Sequence, residues 1–337
     1  MSEFCQYLCF RVFAVQILFV LAACAPQPTI TPTSTLAATQ IPTAAATVAV
    51  TPQPTATIPL PAPTPTSLAV CNFLDPPCTF EGRSLLHRPI ALPGNLLMDP
   101  SYAFGTTQLE ARVPHHGVEF QNPLGTPVLA AADGEVMVAG DDRIVFYSPW
   151  QGMYGNLVVV AHDLPGVDGT VYTLYAHLSE VDVSVGEQVV AGDQIGRVGL
   201  SGAAIGSHLH FEVRLGRNSY SSNRNPALWL EPAPGADGEL LGTLAGRVVD
   251  AAGRPVHVEM RVQYFFERGG PQVNGFQAET YASETFPVKG DDAWRENFAI
   301  GDLPPGWYRI TIANGAVVEA WAEVVPGKVT MVLIELE

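Results

Sequence analysis

Short apolar runs separated by glycine, aspartate and proline dominate the chain from about residue 80 to residue 232. Turn signals recur between these runs at roughly eight- to twelve-residue intervals, a spacing typical of β-sheets and barrels. The pattern therefore predicts an all-β sheet or barrel without a long helix. The runs that predict strands read TPVLAAA, EVMVAG, RIVFYS, NLVVVAHDL, TVYTLYAHL, QVVAGDQIGRVG and HLHFEVRL.

Two of these stretches resemble each other. GTPVLAAADGEVMVAG at 125–140 and VGEQVVAGDQIGRVG at 185–199 each contain an apolar strand, a turn of small residues and a second strand. This similarity indicates a half-repeat within one compact domain.

A Pro, Gly and acid-rich linker around residues 231–239 ends this region, and alternating apolar runs resume at about residue 240. The C-terminal part, 240–337, is therefore predicted to be a second domain built of strands. We expect removal of residues beyond about 238 to leave the chemistry of the first domain intact.

The N-terminus carries an apolar run, VFAVQILFVLAAC at 12–24, that is short for a membrane span but typical of an export signal. Its last four residues resemble the bacterial lipobox, in which the cysteine is lipidated after cleavage. The resemblance implies a signal peptide at 1–23, a lipid on Cys24, and a cell-surface lipoprotein anchored to the membrane outside the cytoplasm. An ordinary signal peptide or an uncleaved anchor is the alternative.

Residues 24–70 are rich in Thr, Pro and Ala, and the chain has no charged residue from Ala25 to Asn72. Such a segment cannot bury enough apolar surface to offset its ordering entropy. Its prolines favour extended conformations of about 3.1 Å per residue, which predicts a disordered stalk on the order of 100 Å or more.

Cys71 and Cys78 flank the sequence NFLDPP at the start of the predicted folded region. An oxidising exterior favours a short-loop disulfide between them. A metal site is the weaker alternative, because no second Cys or His pair follows at zinc-ribbon spacing.

Charge excludes one class of partner. The 337-residue chain has 17 Lys and Arg against 33 Asp and Glu, a formal net charge of -16. Without a basic stripe to displace counterions from phosphates, nucleic acid is not an expected partner.

Histidines supply the candidate chemistry. In an extended chain His208 and His210 point to the same face, roughly 6.6 Å apart, while Leu209 and Phe211 point to the core. His115 and Glu119 share a parity, with Gly117 leaving space between them, whereas His116 points away. Two imidazoles and one carboxylate form a standard catalytic zinc set, which predicts one Zn²⁺ on His115, Glu119 and His210. His177 and His208 would stand beside the metal as groups that transfer protons or stabilise an oxyanion.

Residues 112–214 resemble the lysostaphin/LytM-type zinc metalloendopeptidases, whose signature is H-x-x-x-D, then a His in Y-x-H-L, then H-x-H. The matching segments are HHGVEF, LYAHLS and GSHLHFEV, with GTPVLAAADGEV matching a glycine pattern of the family. The resemblance implies a peptidase domain at 71–232 with antiparallel β-sheets in a duplicated, barrel-sandwich hybrid fold. It also implies the same zinc ligands, His177 and His208 as catalytic residues, and peptidoglycan peptide bonds as substrate.

One residue departs from that signature, because Glu119 stands where the family usually has aspartate. Glutamate is an ordinary zinc ligand, but its carboxylate must fold back by one methylene. A non-catalytic wall-binding or hydrolase-activating module that keeps the fold is therefore the alternative function. Such relatives typically lack several of the histidines that this chain retains.

The C-terminal part resembles the carboxypeptidase regulatory-like, transthyretin-like domain, a small β-sandwich, through GTLAGRVVDAAGRPV, LPPGWYRITIANG and VVPGKVTMVLIELE. These motifs mostly describe turns, and they place no cluster of His or Cys there. The aspartates in its turns are expected either to be solvated or to bind calcium. They are Asp250, Asp291, Asp292 and Asp302.

Overall fold

The computed structural model describes residues 78–281 and 288–337. The predicted signal peptide, the stalk, Cys24 and Cys71 lie outside the described residues. Cys78 is disulfide-bonded. Since no cysteine follows Cys78 in the chain, its partner also lies outside, and pairing with Cys71 stays a prediction. Within the described residues, no helix is both long enough and apolar enough to cross a membrane.

The described chain is built from strands, turns and short 3-10 helices at Pro100–Tyr102, Tyr220–Ser222 and Pro226–Leu228. The strands are β1 (Cys78–Phe80), β2 (Val118–Gln121), β3 (Pro127–Leu129), β4 (Gly134–Asp141), β5 (Asn156–His162), β6 (Val171–Leu178), β7 (Glu180–Val181), β8 (Gln188–Val189), β9 (Gln194–Arg197), β10 (His208–Leu215), β11 (Asn223–Arg224), β12 (Gly242–Asp250), β13 (Glu259–Phe265), β14 (Gln272–Glu279), β15 (Phe298–Leu303), β16 (Gly306–Asn314), β17 (Ala316–Val324) and β18 (Val329–Leu336). The predicted all-β fold class is confirmed.

Strands β2–β11 form two sheets. The larger has seven strands in the order β11-β10-β6-β5-β4-β8, with β2 paired to β10, and the smaller has the order β3-β9-β7. All pairs in both sheets are antiparallel.

The two similar stretches of sequence pair with each other. The first folds as β3 and β4 and the second as β8 and β9, and the pairing is crossed, β3 with β9 and β4 with β8. The repeat is therefore an interlocked unit in which each half completes the sheet of the other.

The run RIVFYS at 143–148, predicted as a strand, is instead an exposed loop. Strand β4 ends at Asp141, and the Asp142 carboxylate accepts hydrogen bonds from the backbone N–H groups of Tyr154 and Gly155 at 2.8 and 3.0 Å. These bonds close the loop. Ile144 is consequently 89% exposed.

Strand β10 is buried on both faces, which places the functional side chains. Leu209, Phe211 and Val213 lie in the main hydrophobic core. The alternate residues His208, His210, Glu212 and Arg214 are equally buried on the opposite face. A polar face inside the protein must be satisfied by partners, because unpaired buried polar groups are costly.

The C-terminal part consists of two four-stranded sheets, β1-β18-β12-β15 and β14-β13-β16-β17. Apolar residues from both sheets form one core, including Leu244, Val262, Ile310 and Ile334. This is the expected small β-sandwich, with one difference: β12 and β18 pair in parallel.

The C-terminal sandwich is not separate from the rest of the described chain. Strand β1, predicted to belong to the first domain, pairs with β18. Phe80, Trp294 and Met331 share one hydrophobic core with Leu86 and Trp229. Loss of the residues beyond about 238 would therefore expose this core, and retention of the first domain's chemistry without them stays a prediction.

The aspartates considered for calcium have arginine partners instead. Asp291 pairs with Arg83, Asp302 with Arg88, Asp292 with Arg224 and Asp250 with Arg254. Three of these arginines belong to the first domain. Asp291, Asp292 and Asp302 therefore link the two parts of the chain, whereas Asp250 is paired within the C-terminal part.

Candidate metal centre and active site

The register between β2 and β10 brings the predicted metal ligands together. Glu119 lies directly opposite His210, and Gln121 lies opposite His208. His115 lies before β2, four residues ahead of Glu119 in the sequence. Residues that are nearly one hundred positions apart in sequence therefore meet on one face.

The three predicted ligands converge on one point. Glu119 Oε1 lies 3.0 Å from His115 Nε2 and 3.0 Å from His210 Nδ1. The two ring nitrogens are 3.2 Å apart. Their candidate ligand atoms all lie within 4.8 Å of one another, and all three residues are buried.

These spacings fit a zinc ion. Tetrahedral zinc with ligand distances of about 2.0–2.1 Å separates its ligand atoms by about 3.3 Å, close to the distances seen here. Two imidazole nitrogens and a carboxylate oxygen are also the donors that catalytic zinc sites use. Among the described residues this is the single group of three or more His, Cys, Asp or Glu side chains with such an arrangement.

Gly117 makes room for one of the ligands. A Cβ at this position would lie 2.8 Å from His210 Nε2 and 2.5 Å from the Phe211 carbonyl oxygen. The space that the sequence suggested between His115 and Glu119 is thus filled by the His210 ring. Any larger residue would push this ring out of the cluster.

His115 is oriented by Tyr102. Its Nδ1 donates to the Tyr102 carbonyl oxygen at 2.9 Å, which turns Nε2 toward the cluster. The Tyr102 ring stacks on the imidazole with centroids 4.0 Å apart. Tyr102 therefore packs against a ligand rather than standing apart from the site.

His210 is oriented by a network that the sequence reading missed. Its Nε2 lies 3.1 Å from Glu212 Oε1, and Glu212 in turn accepts from Arg214 Nε at 2.8 Å and from the Tyr154 hydroxyl. Glu212 and Arg214 have the same parity as His208 and His210. A charged pair on the buried face of that strand was the available signal.

The two predicted catalytic histidines flank the cluster. His177 Nδ1 donates to the Ser201 carbonyl at 2.8 Å, and His208 Nδ1 to the Gly206 carbonyl at 3.0 Å. Their rings are 4.9 Å apart, and His208 Nε2 lies 3.0 Å from Glu119 Oε2. Both therefore present Nε2 to the region around the three ligands.

The remaining histidines lie elsewhere. The His116 ring stacks on the Tyr220 ring with centroids 3.5 Å apart, and His116 Nδ1 hydrogen-bonds the Tyr220 carbonyl oxygen. His116 therefore points away from the cluster, as predicted. His162 is a core residue bonded to Asp133 and Thr173. His87 and His257 pair with Glu231 and Glu279.

Electrostatics of the metal-free cluster favour a cation. Burial would raise the pKa of Glu119, but the surrounding imidazoles hold it well below its usual range. Burial likewise opposes charge on His210, yet Glu119 and Glu212 raise its pKa to about 9. A proton on His210 thus neutralises the cluster, in the place that a metal cation would take.

His177 behaves differently. Burial, aided by the nearby His210, lowers its pKa to about 4. It is therefore neutral at pH 7, and because Nδ1 donates to a carbonyl, Nε2 is left with a free lone pair. This is the form of imidazole that accepts a proton.

One family model matches the part of the chain that contains this site. Residues 113–223 match the family model described as peptidase family M23. The match begins just before His115 and contains the three predicted ligands, His177 and His208.

Two curated proteins illustrate the similarity. The cell division protein DipM of Caulobacter vibrioides is 44% identical over 98 residues, which are 29% of this chain and 14% of that protein. The peptidoglycan DD-endopeptidase ShyA of Vibrio cholerae is 37% identical over 100 residues, which are 30% of this chain and 20% of that protein. The aligned part is thus a small fraction of each relative.

Among solved structures, the catalytic domain of lysostaphin from Staphylococcus simulans is 29% identical, with a TM-score of 0.29. The aligned region covers 44% of this chain and 89% of the lysostaphin chain. The chain is therefore similar to the M23 peptidase family over residues 113–223.

Proposed function

We propose that this protein is a zinc metalloendopeptidase that hydrolyses peptide bonds of bacterial peptidoglycan outside the cytoplasm. The observation that carries the proposal is the convergence of His115 Nε2, Glu119 Oε1 and His210 Nδ1 within a buried face flanked by two further histidines. The peptidoglycan substrate is supported by the naming of relatives such as ShyA.

His115, Glu119 and His210 would hold one zinc ion. When bound, zinc would polarise the scissile carbonyl and lower the pKa of a water molecule toward neutrality. The longer side chain of Glu119 does not prevent this, because Oε1 already lies 3.0 Å from both ring nitrogens. Tyr102 and Glu212 would keep the two imidazoles in the required orientation, as hydrogen-bonded outer partners of metal ligands do.

His177 and His208 would carry the proton transfers. Neutral His177 can accept a proton at Nε2 during attack and return it to the leaving amine. His208 would stabilise negative charge developing on the scissile oxygen in its doubly protonated form, with Nδ1–H donating to the Gly206 carbonyl and Nε2–H available to the oxygen. Burial of both rings excludes competing water and strengthens these interactions.

The decisive experiment uses the mature full chain. Metal content is measured on the purified protein, peptidoglycan is digested, and the new amino and carboxyl ends are identified by mass spectrometry. We expect one zinc per chain, new ends at peptide bonds, loss of cleavage with a chelator and recovery with zinc. Cleavage that persists without metal contradicts the proposal, and zinc binding without cleavage would favour the hydrolase-activating alternative.

We further propose that a lipid on Cys24 tethers the protein to the membrane, with residues 24–70 as a spacer. This rests on the sequence LAAC followed by an uncharged Thr/Pro/Ala segment. Cys24→Ala should move the protein from the membrane fraction to the soluble fraction. A wild-type protein found wholly in the medium with an unmodified N-terminus contradicts the tether.

A further inference from the structure

A glutamate of the C-terminal sandwich hydrogen-bonds the segment of the first domain that precedes His115. Glu279, at the end of β14, accepts hydrogen bonds from the Thr106 and Thr107 hydroxyls at 2.7 and 2.5 Å. It also accepts from the backbone N–H groups of Thr107 and Leu109 at 3.0 and 3.1 Å. Its carboxylate is therefore the anchor of the loop formed by residues 106–112.

That loop adopts an unfavourable backbone. Gln108, Leu109 and Glu110 are three successive non-glycine residues with φ of 50°, 58° and 62°. L-amino acids avoid this left-handed region, and such strain persists only where surrounding contacts enforce it. The bond from Leu109 N–H to Glu279 acts on the middle of the strained run.

The loop continues into the backbone around the first metal ligand. His115 N–H donates to the Thr106 carbonyl at 3.0 Å, and Gly105 N–H donates to the His115 carbonyl at 2.8 Å. Thr106 thus bonds Glu279 through its hydroxyl and His115 through its carbonyl. A single residue connects the C-terminal sandwich to His115.

A second residue of the C-terminal part, Tyr281, packs against the residues just before Thr106. Gly105 has a φ of 83°, and a Cβ there would lie 2.5 Å from the ring of Tyr281. Phe104 meets the same ring edge-on with centroids 5.2 Å apart. The segment before His115 is therefore held between its own domain and the C-terminal sandwich.

We propose that Glu279 is a positioning residue for the metal centre, acting through the 106–112 loop to hold His115 in its ligating position. The inference rests on the proposed function, because it takes His115 to be a zinc ligand. It makes the C-terminal sandwich a working part of the site, although Glu279 lies outside the segment that matches the peptidase family.

The state of Glu279 suits this role. Burial opposes its charge, but the hydrogen bonds from Thr107 and Thr106 and from the loop backbone lower its pKa to about 2. It therefore remains an ionised acceptor for these four donors near neutral pH, and it also pairs with His257 at 3.3 Å. A neutral amide in its place could not accept them all equally.

The test compares Glu279→Gln with Glu259→Gln in the full chain. Glu259 lies directly opposite Glu279 on β13, is exposed, and carries the same charge. We measure the zinc dissociation constant by chelator competition and hydrogen exchange of the peptide spanning residues 104–112 in the metal-free protein. In Glu279→Gln we expect about tenfold weaker zinc binding, as for other outer partners of metal ligands, and faster exchange, with both unchanged in Glu259→Gln.

A suppressor separates positioning from general stability. Leu109→Gly allows the left-handed conformation without strain, and Leu109 is 66% exposed, so little packing is lost. The double variant Glu279→Gln/Leu109→Gly should recover most of the lost zinc affinity. If Glu279→Gln does not fold, Thr106→Val removes one donor to the carboxylate and is expected to weaken zinc binding in the same direction.

The outcomes distinguish this inference from the proposed function. If wild-type protein binds no zinc, the proposed function fails and this inference fails with it. If the wild type binds zinc and Glu279→Gln binds it equally well, only the inference is overturned. Weaker binding that Leu109→Gly does not relieve, together with a lower melting temperature, would reduce Glu279 to a contact that stabilises the domain interface.

Discussion

The ion pairs between the two parts of the chain and the histidine–glutamate cluster both bury charged groups, but they give these groups different partners. Arg88 reaches both oxygens of Asp302 through Nη1 and Nη2 at 2.8 and 2.6 Å. Arg83 reaches both oxygens of Asp291 at 2.7 and 2.8 Å. Each carboxylate is thus bound through both oxygens by one guanidinium, whose positive charge balances it.

The cluster shares one carboxylate oxygen between two imidazoles instead. Glu119 Oε1 lies at 3.0 Å from His115 and His210, whose nitrogens are themselves only 3.2 Å apart. The donor atoms all point inward, and the cluster contains no fixed cation. The contrast teaches that a ligand site is marked by buried donors converging on one point, whereas matched pairs of buried charges hold domains together.

The largest expected effect removes a member of the cluster. His115→Ala, Glu119→Ala and His210→Ala should each lose zinc on dialysis, because two remaining protein ligands are too few to retain the ion. Metal content of the dialysed protein is the measurement. His116→Ala is the matched control and should keep its zinc, and the reverse result for the two adjacent histidines would show that the assigned register is wrong.

Removing one partner of a buried ion pair should affect folding rather than chemistry. Arg88→Ala leaves Asp302 buried and unpaired and should lower the free energy of unfolding by about 3–5 kcal/mol. Urea denaturation of the metal-free protein measures it. Arg254→Ala, in the exposed pair with Asp250, should match the wild type, and equal effects at both sites would contradict the distinction.

The flanking histidines test whether the cluster serves catalysis. His177→Ala and His208→Ala should bind zinc but cleave peptidoglycan about a hundredfold more slowly or worse, since each supplies proton transfer or oxyanion stabilisation. Cleavage rates are compared at equal zinc content. Wild-type rates in either variant would remove that histidine from the mechanism.

The network behind His210 predicts a smaller effect. Glu212→Gln retains the shape of the side chain but weakens its hold on His210 Nε2, so zinc should bind about tenfold more weakly. Because the change also leaves the buried Arg214 without its carboxylate, the free energy of unfolding should fall as well. Competition with a chelator gives the affinity. Glu135→Gln, an exposed change on β4, should leave the affinity unaltered.

The last expected effect is the pH dependence of zinc binding. Because the pKa of His210 is raised to about 9 in the metal-free protein, zinc binding at pH 7 must displace a proton. Affinity should rise by up to about tenfold per pH unit between pH 7 and 9. Calorimetry in buffers of different ionisation enthalpy should detect about one proton released, and release of none would contradict the raised pKa.

The raised pKa of His210 makes the stability of the metal-free protein fall with rising pH, whereas zinc affinity increases. The folded pKa of His210 lies above its unfolded value of about 6.5, so its stabilising contribution is complete below that pH and is lost as the pH rises through about 9. Stability of the metal-free protein and its zinc affinity should therefore change in opposite directions over this range.

The amino-acid sequence was sufficient for the features that depend on local period. Alternation along HLHFEVRL predicted that His208 and His210 share a face, and the similarity of 125–140 to 185–199 predicted the repeat. Spacing and turn residues likewise predicted the all-β fold. The run RIVFYS was wrongly predicted as a strand, because an apolar pattern cannot reveal that Asp142 closes a loop.

Only the tertiary structure determined how distant segments meet. The register that sets Glu119 opposite His210, the crossed pairing of the repeat, the Glu212–Arg214–Tyr154 network and the reach of Glu279 into the first domain all join residues far apart in sequence. Side-chain parity follows from the two-residue period of a single strand and can be read locally. Register and domain docking are decided by packing summed over many long-range contacts, which no short stretch of sequence contains.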